Sequence, residues 1–144
     1  MNKTKIILLV TILIFTSSLI ADPAPVTGIW RTVNEKGVEE STVEIFEKGG
    51  KIFGKINSLK DPNDKNGKPK ICTACKGSDK DKPVVGLEII KGLSADGDKY
   101  AGGIIMDPEN GNEYKCSIWA EGSKLNVRGK HWTGIFRTQT WLKK

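Results

Sequence analysis

The sequence holds one histidine and three cysteines in 144 residues, and that scarcity excludes most ready-made chemistry. A His-rich metal centre has no ligands to draw on. No serine stands in G-x-S-x-G, no glutamate in H-E-x-x-H, and no glycine-rich loop opens a helix to cradle a phosphate. No spacing among the 17 acids exposes a carboxylate pair for glycoside cleavage. No catalytic residue, no cofactor and no metal is therefore expected. Long apolar runs are missing as well: beyond residue 21 nothing approaches the ~18 uninterrupted apolar residues of a membrane helix. An acid-free basic stripe is also lacking. The lysines of Lys60, Asp61, Asp64, Lys65 and of Asp79, Lys80, Asp81, Lys82 sit among carboxylates, so the formal charge of +6 describes solvated loops and no nucleic-acid partner.

What is present begins with a leader. Met1 to Ala21 carries Lys3 and Lys5, then the apolar run Ile6 to Phe15, then small and polar residues, the order of a cleavable secretory signal peptide. Leu19 is bulky for its place before the cut, and retention as an anchor is the alternative reading; Asp22, Pro23 and Pro25 stop any helix soon after. The region 16 to 23 has no cysteine for a lipid. The expected product is one domain over residues 22–144, periplasmic or secreted, with a net charge of +4 once Lys3 and Lys5 are gone.

From Pro25 onward apolar residues alternate with polar ones, the period of a half-buried strand. Strands are expected over 28–33, 39–47, 51–59, 84–92, 98–107, 113–120, 124–131 and 134–142. Turn chemistry separates them: Glu47 to Gly50, Ser94 to Gly97, Asp107 to Gly111, Ala120 to Ser123 and Trp132 to Gly134. The fold class is all-β. Eight hairpin-linked antiparallel strands leave two edges unless the last pairs with the first, so an up-and-down barrel is expected ahead of a two-sheet sandwich. Gly54, Gly86, Gly102 and Gly103, placed inside strands, fit the sharp bends of a barrel.

Between strands 3 and 4 lies one long loop, Lys60 to Pro83, nearly free of apolar side chains and carrying two of the three cysteines. Cys72 and Cys75 form a C-x-x-C pair. An exported chain favours a disulfide that pins the loop; a redox pair would need a helix N-terminus that the residues after it do not supply. Zinc held by Cys72, Cys75, Cys116 and His131 has the right count and no second paired motif. The oxygen-rich Asp61 to Gly67 misses the EF-hand spacing and reads as a turn.

Gly28-Ile29-Trp30 near the start and Arg137 in the last strand together resemble the lipocalin and calycin arrangement, in which a G-x-W packs beneath a late arginine. That resemblance implies a barrel closed at one end by Gly28, Trp30 and Arg137, a cation over an indole face. A closer likeness runs along the chain: G-K-I-F-G-K-I at 50 to 56, G-L-E-I-I-K-G-L at 86 to 93, A-G-G-I-I-M-D-P-E-N-G-N-E-Y-K-C at 101 to 116, V-R-G at 127 to 129 and R-T-Q-T-W at 137 to 141. On these motifs the sequence resembles the bacterial exported family known as domain of unknown function 2147 (DUF2147). The resemblance implies a secreted or periplasmic lipocalin-like barrel and no reaction.

An eight-stranded barrel holds either packed side chains or one small ligand. The residues expected to face inward are Val43, Ile45, Ile52, Ile56, Val85, Leu87, Ile89, Ile104, Cys116, Ile118, Leu125 and Val127, medium-sized aliphatics with no charge among them. Such a lining suits a small hydrophobic or lipid-like ligand; a packed core in a structural or protein-interaction module of the cell envelope is the alternative. Phe46, Phe53, Trp119 and Trp132 alternate to the outside. Trp132, at a hairpin turn, is the candidate contact with a membrane surface or an envelope protein.

Overall fold

The structure, a computed structural model, describes residues 21–144; all of the expected leader but Ala21 lies outside the described residues. Eight strands follow in order: β1 (Gly28–Val33), β2 (Glu39–Lys48), β3 (Lys51–Leu59), β4 (Glu88–Asp96), β5 (Lys99–Met106), β6 (Glu113–Glu121), β7 (Lys124–Lys130) and β8 (Phe136–Lys143). Each pairs antiparallel with the next, and β1 pairs with β8 through Trp30↔Lys143 and Arg31↔Leu142, so the sheet closes into an up-and-down barrel without a free edge. A sandwich would leave that pair apart. Among the described residues no helix is long and apolar enough to cross a membrane.

Seven strands begin and end within two residues of their expected positions. The exception is β4, which starts four residues later than alternation places it and runs on through Ser94, Ala95 and Asp96. Val84 to Gly86 form a turn instead, held by Gly86 N–H to the Ile56 carbonyl at 2.7 Å and Leu87 N–H to the Val84 carbonyl at 3.2 Å. Gly86 therefore lies outside any strand.

Up-and-down order sorts the connections into two ends. At one end the β2–β3, β4–β5 and β6–β7 hairpins meet the segment before β1. Val26 is buried there and its carbonyl accepts the Trp30 indole N–H at 2.8 Å, so the chain entering the barrel also plugs it. Trp30, Ile45, Leu93, Ile118 and Leu125 are fully buried in this half and fill it. The other end carries the β1–β2, β5–β6 and β7–β8 hairpins and the long β3–β4 connection.

Outside, aromatic residues cover strand pairs. Phe46 and Phe53 face each other across β2 and β3 with ring centroids 6.0 Å apart, and Lys48 Nζ lies 4.4 Å from the Phe53 centroid. Arg128 on β7 lies over Trp119 at 5.0 Å and over Phe136 at 4.6 Å.

Candidate functional site

The open end contains a cavity of about 990 Å³, a size at which small-molecule sites are found. Its apolar wall is built by alternate residues of several strands: Val43 of β2, Ile56 of β3, Ile89 of β4, Ile105 of β5, Val127 of β7 and Trp141 of β8. Below this wall the lumen is packed. Of the inward set read from sequence, Val43, Ile56, Ile89 and Val127 border the cavity as its buried floor, in one core cluster with Ile45, Ile52, Leu87, Cys116, Ile118 and Leu125. Ile90, Leu93 and Met106 complete that core and were not expected in it.

Two residues of the set face elsewhere. Val85 is 41% exposed, because it sits in the turn before β4 and not in a strand. Ile104 is half-buried on the outer face, between Lys91 and Lys115, and Ile105 takes the inward place. A bulge causes the switch. The β5–β6 register shifts between Tyr100 and Gly103, where Gly102 has φ +84°, and one extra residue exchanges the two faces for the rest of β5.

The expected closure by Arg137 is corrected as well. The cation over Trp30 is Lys143, whose Nζ lies 4.6 Å from the ring centroid and donates to the Thr27 carbonyl at 3.1 Å, beside Gly28 with φ +125°. Arg137 is six residues earlier on β8, about 20 Å up an extended strand. It shares the inward face with Gln139 and Trp141 and lines the cavity at its mouth. The lumen therefore does carry an inward charge. Tyr114 of β6, which alternates with Cys116 and Ile118, lines it too, as does Gln139; Arg137 and Gln139 escape an apolar pattern because two of the three inward side chains of β8 are polar.

Four carboxylates also reach the cavity, Glu40 from β2, Asp61 from the β3–β4 connection, and Asp107 and Glu109 from the β5–β6 hairpin, together with Lys60 and Lys70 of that connection and His131. Glu40 accepts from Asn34 Nδ2 at 2.7 Å, and both oxygens of Asp107 serve its own turn, accepting from Glu109 N–H and Asn110 Nδ2.

The long connection is ordered by its own polar side chains and straps across this end. Asp64 Oδ1 accepts the backbone N–H groups of Asn66 and Lys68, which accounts for the oxygen-rich sequence as a turn. Cys72 and Cys75 are joined in a disulfide, both buried. The bridge leaves no thiolate pair for zinc, and among the described residues no group of three His, Cys, Asp or Glu is placed to hold a metal. The strap rests on the β5–β6 hairpin: Cys72 Sγ lies 3.3 Å from the Pro108 carbonyl oxygen, Cys75 Sγ lies 3.7 Å from Met106 Sδ, and Ala74 packs on Gly111. A single 3-10 turn, Gly77–Asp79, ties the strap to β4, where Asp79 pairs with Lys91 at 2.5 Å and with Lys82 at 3.1 Å. The hydrogen bonds of these two ammonium groups hold the Asp79 carboxyl below its usual range.

Beside the mouth, the β7–β8 hairpin presents Trp132, Ile135 and Phe136 at 86%, 75% and 58% exposure. Trp132 was expected at the surface; its two apolar neighbours were not singled out.

No curated protein matches the chain in sequence. Among solved structures it is similar to protein HP1028 from the human pathogen Helicobacter pylori, described as belonging to the lipocalin family, with 22% identity, 82% of each chain covered and a TM-score of 0.68. That likeness establishes a lipocalin-like barrel. Over residues 28–143, β1 to the end of β8, the sequence matches the family described as an uncharacterized protein conserved in bacteria, and the chain belongs to that family, DUF2147.

Proposed function

We propose that this protein is an exported, non-enzymatic carrier that binds one small hydrophobic or lipid-like molecule in the open half of its barrel. The observation that carries the reading is the division of the lumen: a packed, plugged half below and, above it, a cavity of about 990 Å³ floored by buried apolar side chains and ringed by polar ones. A barrel that served only as a scaffold would gain stability by filling both halves. The order of charge, apolar run and small residues over Met1 to Ala21 supports export to the periplasm or beyond. Native mass spectrometry of the protein purified from an exporting host tests both parts. The expected result is a chain lacking the leader, with a passenger in stoichiometric amount released by organic solvent. A bare chain that also takes up no fatty acid or isoprenoid on incubation would overturn the carrier reading, and an intact leader would overturn cleavage and favour retention as an anchor.

One further observation favours a surface contact beside the mouth. Three large apolar side chains exposed on one hairpin, Trp132, Ile135 and Phe136, are costly in water and suit docking on a membrane surface or an envelope protein.

A further inference from the structure

The β8 side of the cavity has a polar corner in which Arg137 and Gln139 stand in succession on one face. Arg137 lines the mouth from β8, and among the described residues its guanidinium enters no ion pair and no side-chain hydrogen bond. Two residues further in, the Gln139 side-chain oxygen accepts the Trp141 indole N–H at 3.2 Å. An indole can only donate, so the amide oxygen is the atom turned to it and the NH₂ group is left facing away as a donor. Opposite Arg137 in the register stands Gly129, and an added Cβ there would meet Tyr114 and Ile105 at 3.4 and 3.5 Å. Tyr114 lines the cavity from β6, its ring 6.2 Å from that of His131. Below lie Val127 and Trp141, both buried, which form the apolar floor itself; Arg137 to Trp141 spans about 13 Å of strand.

We propose that this corner is an anion subsite, and that the ligand is a single-chain amphiphile whose carboxylate meets Arg137 while its chain descends past Val127 to Trp141. The proposal rests on the carrier reading and gives the ligand its chemical class. A planar guanidinium fork matches a carboxylate in two parallel hydrogen bonds. The planar fork of Arg137 is the one guanidinium at the mouth; Lys60 and Lys70 stand on the strap side of the rim among Glu40, Asp61 and Glu109, so decyl phosphate is the competing head group that the titration separates.

Calorimetric titration of the protein with decanoate, 1-decanol, decylamine and decyl phosphate tests it. Decanoate is expected to bind about 10- to 150-fold tighter than decanol, the range of a charge-assisted hydrogen bond, and Arg137→Gln should erase that gap without moving decanol. Arg128→Gln, which removes a guanidinium from the outer face, should change neither. Equal affinity for decanoate and decanol would overturn the anion subsite and leave the carrier reading standing. Preference for decylamine, or for decyl phosphate over decanoate, would overturn the assigned head group. Failure of all four to bind would overturn the carrier reading itself.

Discussion

Cys116 is the residue whose surroundings act most simply. It is buried in the core on β6, and loss of water pushes its thiol from the ordinary 9.0 up to about 12. The folded protein thus holds a proton that the unfolded chain gives up above pH 9. Stability is unaffected below that pH and falls by at most about 1.4 kcal/mol per unit as pH climbs towards 12. Urea denaturation between pH 7 and 11 should show this fall, and Cys116→Ala, at a cost of about 1 kcal/mol for the lost packing, should flatten it. A thiol reagent should find no group in the native protein at pH 8 and one per chain after denaturation without reductant, since Cys72 and Cys75 are bridged. Gly111 answers to geometry. It has φ +71°, and an added Cβ would stand 2.0 Å from the Ala74 carbonyl oxygen. Gly111→Ala should therefore cost more than 1 kcal/mol, read as a lower urea midpoint, because backbone must move to admit it. At this scale the sequence was most readable where side chains were apolar. Val43 and Val127 declare their direction; Arg137 does not, because an inward arginine at a wet mouth looks like any outward one.

Elements were legible through their punctuation, and the one misplaced strand shows why. Val85, Leu87 and Ile89 alternate well enough to start β4 at 84, yet the chain turns at Val84 to Gly86 before it joins the sheet, and bulges in β4 and β5 then break the two-residue period. Alternation cannot register an inserted residue. The β3–β4 strap was recognisable by length and composition, but its docking was not, since contacts such as Ala74 on Gly111 join residues far apart in sequence. The strap's stability can be separated from the barrel's. Its disulfide closes a short loop, so in the unfolded chain it removes little entropy, and reduction should lower the global midpoint only slightly. Locally the loss is larger, because both sulfurs are buried against Pro108 and Met106. The double variant Cys72→Ser, Cys75→Ser should keep the far-ultraviolet spectrum of the barrel while trypsin cuts at strap lysines not followed by proline, such as Lys65, Lys70 and Lys76, many times faster. Unchanged cleavage would show that Asp79 with Lys91 and the Asp64 turn hold the strap without the bridge.

For the whole molecule the division of the lumen is the controlling fact, and nothing in the order of residues announces it. The eight-strand count allows a filled barrel or a container. Leu125 and Val127 are two residues apart on β7, both inward, both aliphatic, and indistinguishable in the pattern. Leu125 lies deep in the plugged half and Val127 borders the cavity because Val26, before β1, and Trp30 of β1 plug only the end that Leu125 faces. Substitutions should therefore act oppositely in the two halves. Leu125→Ala opens a hole where neighbours cannot follow and should cost about 2–5 kcal/mol in urea denaturation, with the affinity for an apolar ligand changed little if the measurement is made where the variant is folded. Gln139, opposite Val127 in the register, is exposed on the cavity wall, so an indole there has room: Gln139→Trp should keep stability while binding of a dye or alkyl ligand falls at least tenfold. A Gln139→Trp protein that binds as tightly as the parent would mean that no ligand enters the upper half, and the barrel's work would then have to be sought on its surface, at Trp132, Ile135 and Phe136.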